Sequence, residues 1–107
     1  MVQALLSVDR ASCVVTFGER GCWYWERGGR VRHFPAFEVQ VVDTTGCGDV
    51  FHGVYAACIA QSKTVSRAVE IASAAAGIKA TQLGGRSGIP DRAIIDAFLR
   101  AERAHAA

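Results

Sequence analysis

The stretch VVDTTGCGDVFHG, residues 41–53, constrains the fold of this chain more than any other part of its sequence. Two glycines, Gly46 and Gly48, stand between a β-branched run and Asp49, where an Ala-rich helical pattern begins. The run ending at Val42 predicts a buried strand, so the order is strand, glycine turn, helix. A helix that begins in such a turn can bind an anion at its N-terminus.

Short β-rich runs precede that turn. Residues 12–17 predict a central parallel strand, and residues 38–42 predict another strand. Between them, residues 22–25 and 30–34 flank an Arg-Gly-Gly sequence at 27–29 and predict a hairpin.

Helical patterns follow the turn. Residues 50–61 and 64–81 predict two helices rich in small side chains, and a third helix is predicted to start at Pro90-Asp91. Residues 100–107 are expected to fray. The order β, hairpin, β, α, α, α predicts an α/β layer structure. Because a parallel sheet needs both faces covered, we expect the C-terminal part of a larger α/β domain, or a chain that pairs with another.

Composition and charge indicate which classes of partner, such as nucleic acid, membrane or zinc, this chain is expected to lack. The net charge is +2, which is too small to indicate a nucleic-acid-binding protein. No apolar run approaches the ~20 residues that a membrane-spanning helix needs, and the N-terminus lacks the features of a signal peptide. The four cysteines contain no C-x-x-C pair, so reduced, buried thiols in a cytoplasmic protein are expected rather than a zinc site.

The glycine turn suggests phosphoryl chemistry. The first amide groups of a helix have no acceptor within the helix, and the helix dipole adds positive charge there. The N–H groups around Gly46, Cys47 and Gly48 would hold a phosphoryl group as its charge grows. Asp49 would take a proton from an attacking hydroxyl as a general base. The alternative is that Asp49 only caps the helix.

The same stretch closely resembles the C-terminal signature of the PfkB, or ribokinase-like, carbohydrate kinases. Their pattern is Asp-Thr-x-Gly-x-Gly-Asp, then a helix with a small residue four positions on, here Gly53. Residues 14–21, 71–85 and 86–90 resemble the family's nucleotide loop, adenine-flanking helix and closing turn. The resemblance implies a ribokinase-like three-layer αβα sandwich with a mostly parallel sheet, of which residues 1–107 would be the C-terminal part.

The resemblance also implies roles for individual residues. Asp49 is the expected catalytic base, and Gly46, Cys47 and Gly48 form the expected anion hole. The expected nucleotide-binding residues are Thr16, Phe17, Gly18, Glu19, Arg20, Gly21, Gly48, Asp49 and Ser73. For Ser73 the alternative is an ordinary serine on a helix surface.

A monovalent cation, with K+ as the candidate, is expected beside the anion hole. Asp43 and the Thr45 carbonyl would hold it. The remaining positions, which would act largely through backbone carbonyls, are Lys79, Gln82, Gly84 and Gly88. Some family members use a serine hydroxyl at the position of Gly88, and Ser87 is its neighbour here.

The family's substrate half is not encoded in these residues. The sequence contains no asparagine, so the family's N-x-x-E motif, which organises Mg2+, does not lie here. The first hypothesis is the nucleotide-binding and catalytic part of a sugar kinase that uses ATP and Mg2+, completed by an N-terminal half or by homo-oligomerisation. The second is a nucleotide-binding module without turnover, and the third is a non-catalytic assembly module.

Overall fold

The computed structural model describes residues 12–83 and 90–106, with side chains as far as Ala104. The chain divides into two compact units, Met1–Ala36 and Phe37–Ala107.

The first unit contains a small antiparallel sheet. Its strands are β1 (Ser12–Thr16), β2 (Cys22–Glu26) and β3 (Arg32–Phe34), and β2 lies between the other two. Side chains alternate between the faces along β2, because successive residues of a strand point in opposite directions. Cys22 and Tyr24 are accordingly buried, whereas Trp23 and Trp25 are only half-buried.

The sequence predicted the hairpin correctly and the direction of the first strand wrongly. β2 and β3 form the predicted hairpin, and a turn in which the Gly29 amide donates to the Glu26 carbonyl joins them. Within the described residues, β1 pairs with β2 alone and antiparallel, not as a central parallel strand. The five residues between Thr16 and Cys22 explain this, since a parallel connection needs a crossover of about a dozen residues or more.

The second unit is helical. Its helices are α1 (Cys47–Ala60), α2 (Val65–Ala80) and α3 (Arg92–Ala106). All three predicted helices are present. However, α1 begins three residues before the predicted start at residue 50, and α3 continues past residue 100, where fraying was predicted. None of the helices in the described ranges is long and apolar enough to cross a membrane.

The core of this unit lies mainly between α1 and α2. Buried residues recur on α1 at helical spacing, and α2 contributes a broad face of small side chains. Ala68, Ala72 and Ala75 are fully buried, and side chains this small allow two helices to pack closely. The buried positions of α1 are Val50, Phe51, Val54 and Cys58.

Side-chain caps fix the starts of two helices, and an ion pair links two of the helices to each other. The Thr64 hydroxyl accepts a hydrogen bond from the Arg67 amide at 3.1 Å and caps α2. The Asp91 carboxylate does the same for α3, accepting from the Ile94 amide at 3.1 Å. Arg103 pairs with Glu70 at 3.2 Å, which links α3 to α2.

The predicted strand at residues 38–42 is not present. This segment is extended but forms no strand in the structure, and Val41 and Val42 are 61% and 54% exposed. Phe37 packs edge-to-face on Phe98 of α3, with ring centroids 5.2 Å apart. Val39 lies close to α2, since its Cγ1 is 3.6 Å from a Cβ added to Gly77. The backbone of residues 38–42 makes no ladder with a strand of the described residues.

Gly21 is expected to be essential to the sheet unit. Its φ is +85°, and a Cβ there would lie 2.1 Å from the Phe34 carbonyl oxygen. Gly21→Ala should therefore cost a few kcal/mol, the sum of about 1–2 kcal/mol of left-handed strain and a similar overpacking term. Gly28→Ala is the matched control, because its φ is +87° but no atom lies within 4 Å of the added Cβ.

The measurement is denaturant unfolding followed by tryptophan fluorescence, since both tryptophans lie in β2. Gly21→Ala should lower the free energy of unfolding by clearly more than Gly28→Ala. Equal losses would show that the contact with Phe34 is unimportant.

Candidate active site

The candidate site is built around the turn between the extended segment and α1. The Asp43 carboxylate accepts two hydrogen bonds from Thr45, one from its amide at 2.9 Å and one from its hydroxyl at 2.6 Å. An aspartate that bonds the backbone two residues on forms a local turn of its own. The two bonds hold the Asp43 carboxylate within the turn, and this carboxylate does not cap α1.

Gly46 is the residue that allows α1 to start at this place. It is the N-cap, in the left-handed conformation with φ 79° and ψ 0°, and its carbonyl accepts from the Val50 amide at 3.0 Å. Residues other than glycine adopt this conformation at a cost. The positive φ is the structural reason why residue 46 of the turn is a glycine.

The start of α1 offers backbone amides to an anion. Cys47 is the exception, because its amide donates to the Thr44 carbonyl at 3.2 Å. In the described part of the chain, the amides of Gly46, Gly48 and Asp49 have no acceptor, and no side chain caps the helix. These three N–H groups lie at the positive end of the helix dipole. They form a suitable environment for a phosphoryl oxygen.

Gly48 lies in open space. It is the second residue of α1 and exposed, and a Cβ added to it would meet no atom within 4 Å. The packing of the chain therefore does not require a glycine here. A ligand that approaches the backbone closely would require one.

Asp49 is exposed and lies in the first turn of α1. Within the described residues its carboxylate makes no hydrogen bond or ion pair. The alternative that Asp49 caps the helix is not supported, because the N-cap is Gly46 and no side chain bonds the helix start. The carboxylate is therefore available to accept a proton from a bound hydroxyl.

Cys47 presents a neutral thiol to the same turn. Burial raises the pKa of the Cys47 thiol, the positive charge of Lys79 lowers it, and the negative charge of Asp43 raises it further; the net shift is upward. A thiol whose pKa is raised stays protonated at neutral pH. It therefore adds no negative charge that would repel an anion at the helix start.

Lys79 contributes a side chain that sequence analysis overlooked. Its backbone carbonyl was assigned to a cation site, yet the side chain is the notable part, since Lys79 is only 2% exposed. Its Cε would lie 3.8 Å from a Cβ placed on Gly46. The sequence held a signal, because Lys79 is the only charged residue in the Ala-rich stretch 71–80.

The predicted cation ligands lie partly in this cluster. The Lys79 carbonyl accepts from the Gln82 amide at 3.1 Å, and Gln82 Oε1 is buried without a hydrogen-bond partner in the described residues. Gly84 and Gly88 lie outside the described residues. Across ranges 12–83 and 90–104, no group of three His, Cys, Asp or Glu side chains could hold a metal ion. K+ at this turn stays a prediction, and Mg2+ finds no ligand cluster in these ranges.

The predicted nucleotide loop follows β1 in the first unit. The Phe17 amide donates to the Gly21 carbonyl at 2.8 Å, and the Gly21 amide donates to the Gly18 carbonyl at 3.0 Å. A short 3-10 turn, Gly18–Arg20, closes the loop, with Glu19 and Arg20 exposed. The Phe17 ring packs edge-to-face on Trp23 at 5.1 Å between centroids.

Two further predicted nucleotide-binding residues lie in regular structure. Thr16 is the last residue of β1 and is half-buried. Ser73 is half-buried on α2 between two buried alanines. Its contribution to a nucleotide site and its role as an ordinary helix serine both stay open.

The comparisons with known proteins identify the class to which this chain belongs. The profile of the pfkB family carbohydrate kinases matches residues 1–92. The chain therefore belongs to the pfkB family of carbohydrate kinases.

Particular relatives agree with this membership. Ribokinase of Bacillus subtilis is 31% identical over 98 residues, which are 92% of this chain and 33% of that protein. The crystal structure of ribokinase from Thermotoga maritima has a TM-score of 0.82 and 37% identity, covering 92% of this chain and 33% of that one. Ribokinase of Arabidopsis thaliana, solved with ribose and ATP, has a TM-score of 0.82 and 26% identity, covering 92% and 32%. The chain thus spans about a third of the length of these relatives.

The two glycines of the turn should differ in what they do for stability. Gly46→Ala forces a Cβ into the left-handed region, φ 79°, and should cost about 1–2 kcal/mol. Gly48→Ala is the matched control, in ordinary helical conformation with free space around the added Cβ, and should stabilise α1 by about 0.5 kcal/mol. Denaturant unfolding followed by far-ultraviolet circular dichroism measures both. A loss at Gly48 as large as at Gly46 would contradict the structure of the turn.

Proposed function

We propose that this chain is the nucleotide-binding and catalytic part of an ATP-dependent sugar kinase. The observation that carries the proposal is the start of α1, where three amides without a protein acceptor in the described part and an exposed carboxylate share one turn. Membership of the pfkB family supports phosphoryl transfer to a sugar as the reaction.

The turn can serve both sides of the transfer. Negative charge is spread over the γ-phosphoryl oxygens during transfer, and the amides of Gly46, Gly48 and Asp49 would stabilise that charge. The Asp49 carboxylate would take the proton of the sugar hydroxyl while the hydroxyl oxygen forms a bond to the γ-phosphorus. The bond between the γ-phosphorus and the bridging oxygen then breaks, and ADP leaves. Cys47, with a neutral thiol, fills the middle of the anion hole without adding charge.

The loop of the first unit is proposed to bind the nucleotide. Residues 16–21 are held by three backbone hydrogen bonds, and their exposed groups are available to a ligand. Mg2+ would neutralise phosphate charge, and its ligands are expected outside the described residues, which offer no suitable cluster. ATP and ribose in the Arabidopsis ribokinase structure support these ligand classes for the proposal.

A nucleotide-binding module without turnover is the second candidate. The observation in its favour is that the chain spans 33% of ribokinase of Bacillus subtilis. The two candidates differ in one measurement, because a module binds ATP but gives no ATP-dependent phosphorylation when a sugar-binding part is supplied.

Gly48→Val tests the phosphate position directly. The bulky side chain occupies the space beside the helix start and should weaken ATP binding at least about tenfold, because it excludes phosphate from the free amides. Ser66→Val is the matched control, at the second position of α2. Calorimetric titration of the chain with ATP measures both affinities. Equal affinities in the two variants would remove the turn from the phosphate site.

Asp49→Asn tests the general base. The chain would replace the third of Bacillus subtilis ribokinase that it matches, so that the rest of that protein is supplied. Asparagine keeps the shape but does not accept the proton, so kcat should fall by ~10²–10⁴ with a much smaller change in KM. Asp91→Asn, at the cap of α3, should leave kcat unchanged. A near-parental kcat for Asp49→Asn would disprove the base assignment.

A further inference from the structure

The buried lysine at the end of α2 has no part in the mechanism above. Lys79 is 2% exposed, in a helix whose other nearby side chains are small or apolar. Burying an ammonium group is costly unless nearby negative charge or dipoles compensate it. A cation near the C-terminus of a helix gains from the negative end of the helix dipole. The lysine is therefore a fixed positive charge inside the second unit.

Lys79 lies behind the turn that begins α1. Its Cε would be 3.8 Å from a Cβ on Gly46, the N-cap of that helix. The next residue, Ala80, accepts hydrogen bonds from the amides of Val42 and Asp43 at 2.8 and 3.1 Å. The end of α2 is thus bonded to the start of the turn, and this connection places the lysine beside it.

The Lys79 side chain lies close to the start of α1. Its Cε is the atom nearest to a Cβ added to Gly46, the N-cap of that helix, and the amides that face an anion follow directly. A monovalent cation was predicted at this same place, between Asp43 and the carbonyl groups near the end of α2.

We propose that the ammonium group of Lys79 takes the place of a monovalent cation behind the turn Gly46–Asp49, so that phosphate binding at this turn does not require K+. The inference rests on the proposed function for its phosphate ligand, but its structural part concerns this chain alone. A tethered ammonium supplies the charge at all salt concentrations. It also repels a second cation from the same cluster.

The first experiment measures melting temperature without any nucleotide. A bound ion stabilises the folded state that binds it. The parent chain should melt at the same temperature in KCl, NaCl and choline chloride at equal ionic strength. Lys79→Ala removes the ammonium and leaves room, so KCl should raise its melting temperature by several degrees relative to choline chloride. Lys63→Ala, at a half-buried lysine between α1 and α2, is the control and should show no specific effect of K+.

The second experiment measures ATP affinity in the same salts. Parent affinity should be equal in KCl and NaCl. Lys79→Met keeps the apolar stem without the charge, and its affinity should fall roughly tenfold in all salts, as expected for the loss of one charged partner. Lys79→Ala should bind weakly in NaCl and recover most of the parental affinity in KCl. A merely structural lysine would give no recovery by K+.

The outcomes separate this inference from the proposed function. A parent chain that melts higher or binds ATP more tightly in KCl than in NaCl overturns the inference. So does Lys79→Ala without a response to K+, or, where that variant does not fold, Lys79→Met with parental ATP affinity. If no variant binds ATP in any salt, the proposed function fails, and the melting temperatures still decide whether Lys79 replaces the cation.

Discussion

Two hydrogen bonds to one carbonyl group support the rest of the candidate site. The amides of Val42 and Asp43 both donate to the Ala80 oxygen, at 2.8 and 3.1 Å. Ala80 is the last residue of α2, where carbonyl groups lack a partner within the helix. The bonds satisfy this carbonyl and attach the entering chain to the end of α2. Since α1 also packs on α2, the turn that leads from Asp43 into α1 is held at both ends.

The way the turn uses its polar groups leaves the start of α1 open. The most obvious capping group, the carboxylate of Asp43, is occupied by Thr45. The N-cap is a glycine without a side chain, so it supplies the left-handed turn but no acceptor. Several amides therefore face away from any protein acceptor in the described ranges, and Asp49 stands beside them. An anion is the natural partner of such a group of donors.

Much of the secondary structure was predictable from local patterns. The hairpin was predicted from the two runs that flank the Arg-Gly-Gly sequence at 27–29, and the second helix was predicted from the spacing of its apolar residues. The direction of β1 was wrong because strand patterns carry no information on pairing direction, which the short loop after Thr16 decides. Residues 38–42 have strand-like side chains, yet they form no strand, and Val39 lies against α2 instead, because β propensity mainly describes a surface to pack on.

The sequence by itself determined the turn and the family. A glycine at position 46, an aspartate that bonds two residues on, and the start of a helix are local features, since φ preferences and short hydrogen bonds involve near neighbours. Tertiary structure alone decided what surrounds them. Lys79 is 33 residues from Gly46 in the sequence, and only helix packing buries its ammonium group beside the turn and shifts the electrostatic environment of Cys47. Burial and the proximity of charges depend on which segments meet, and local sequence patterns do not encode this.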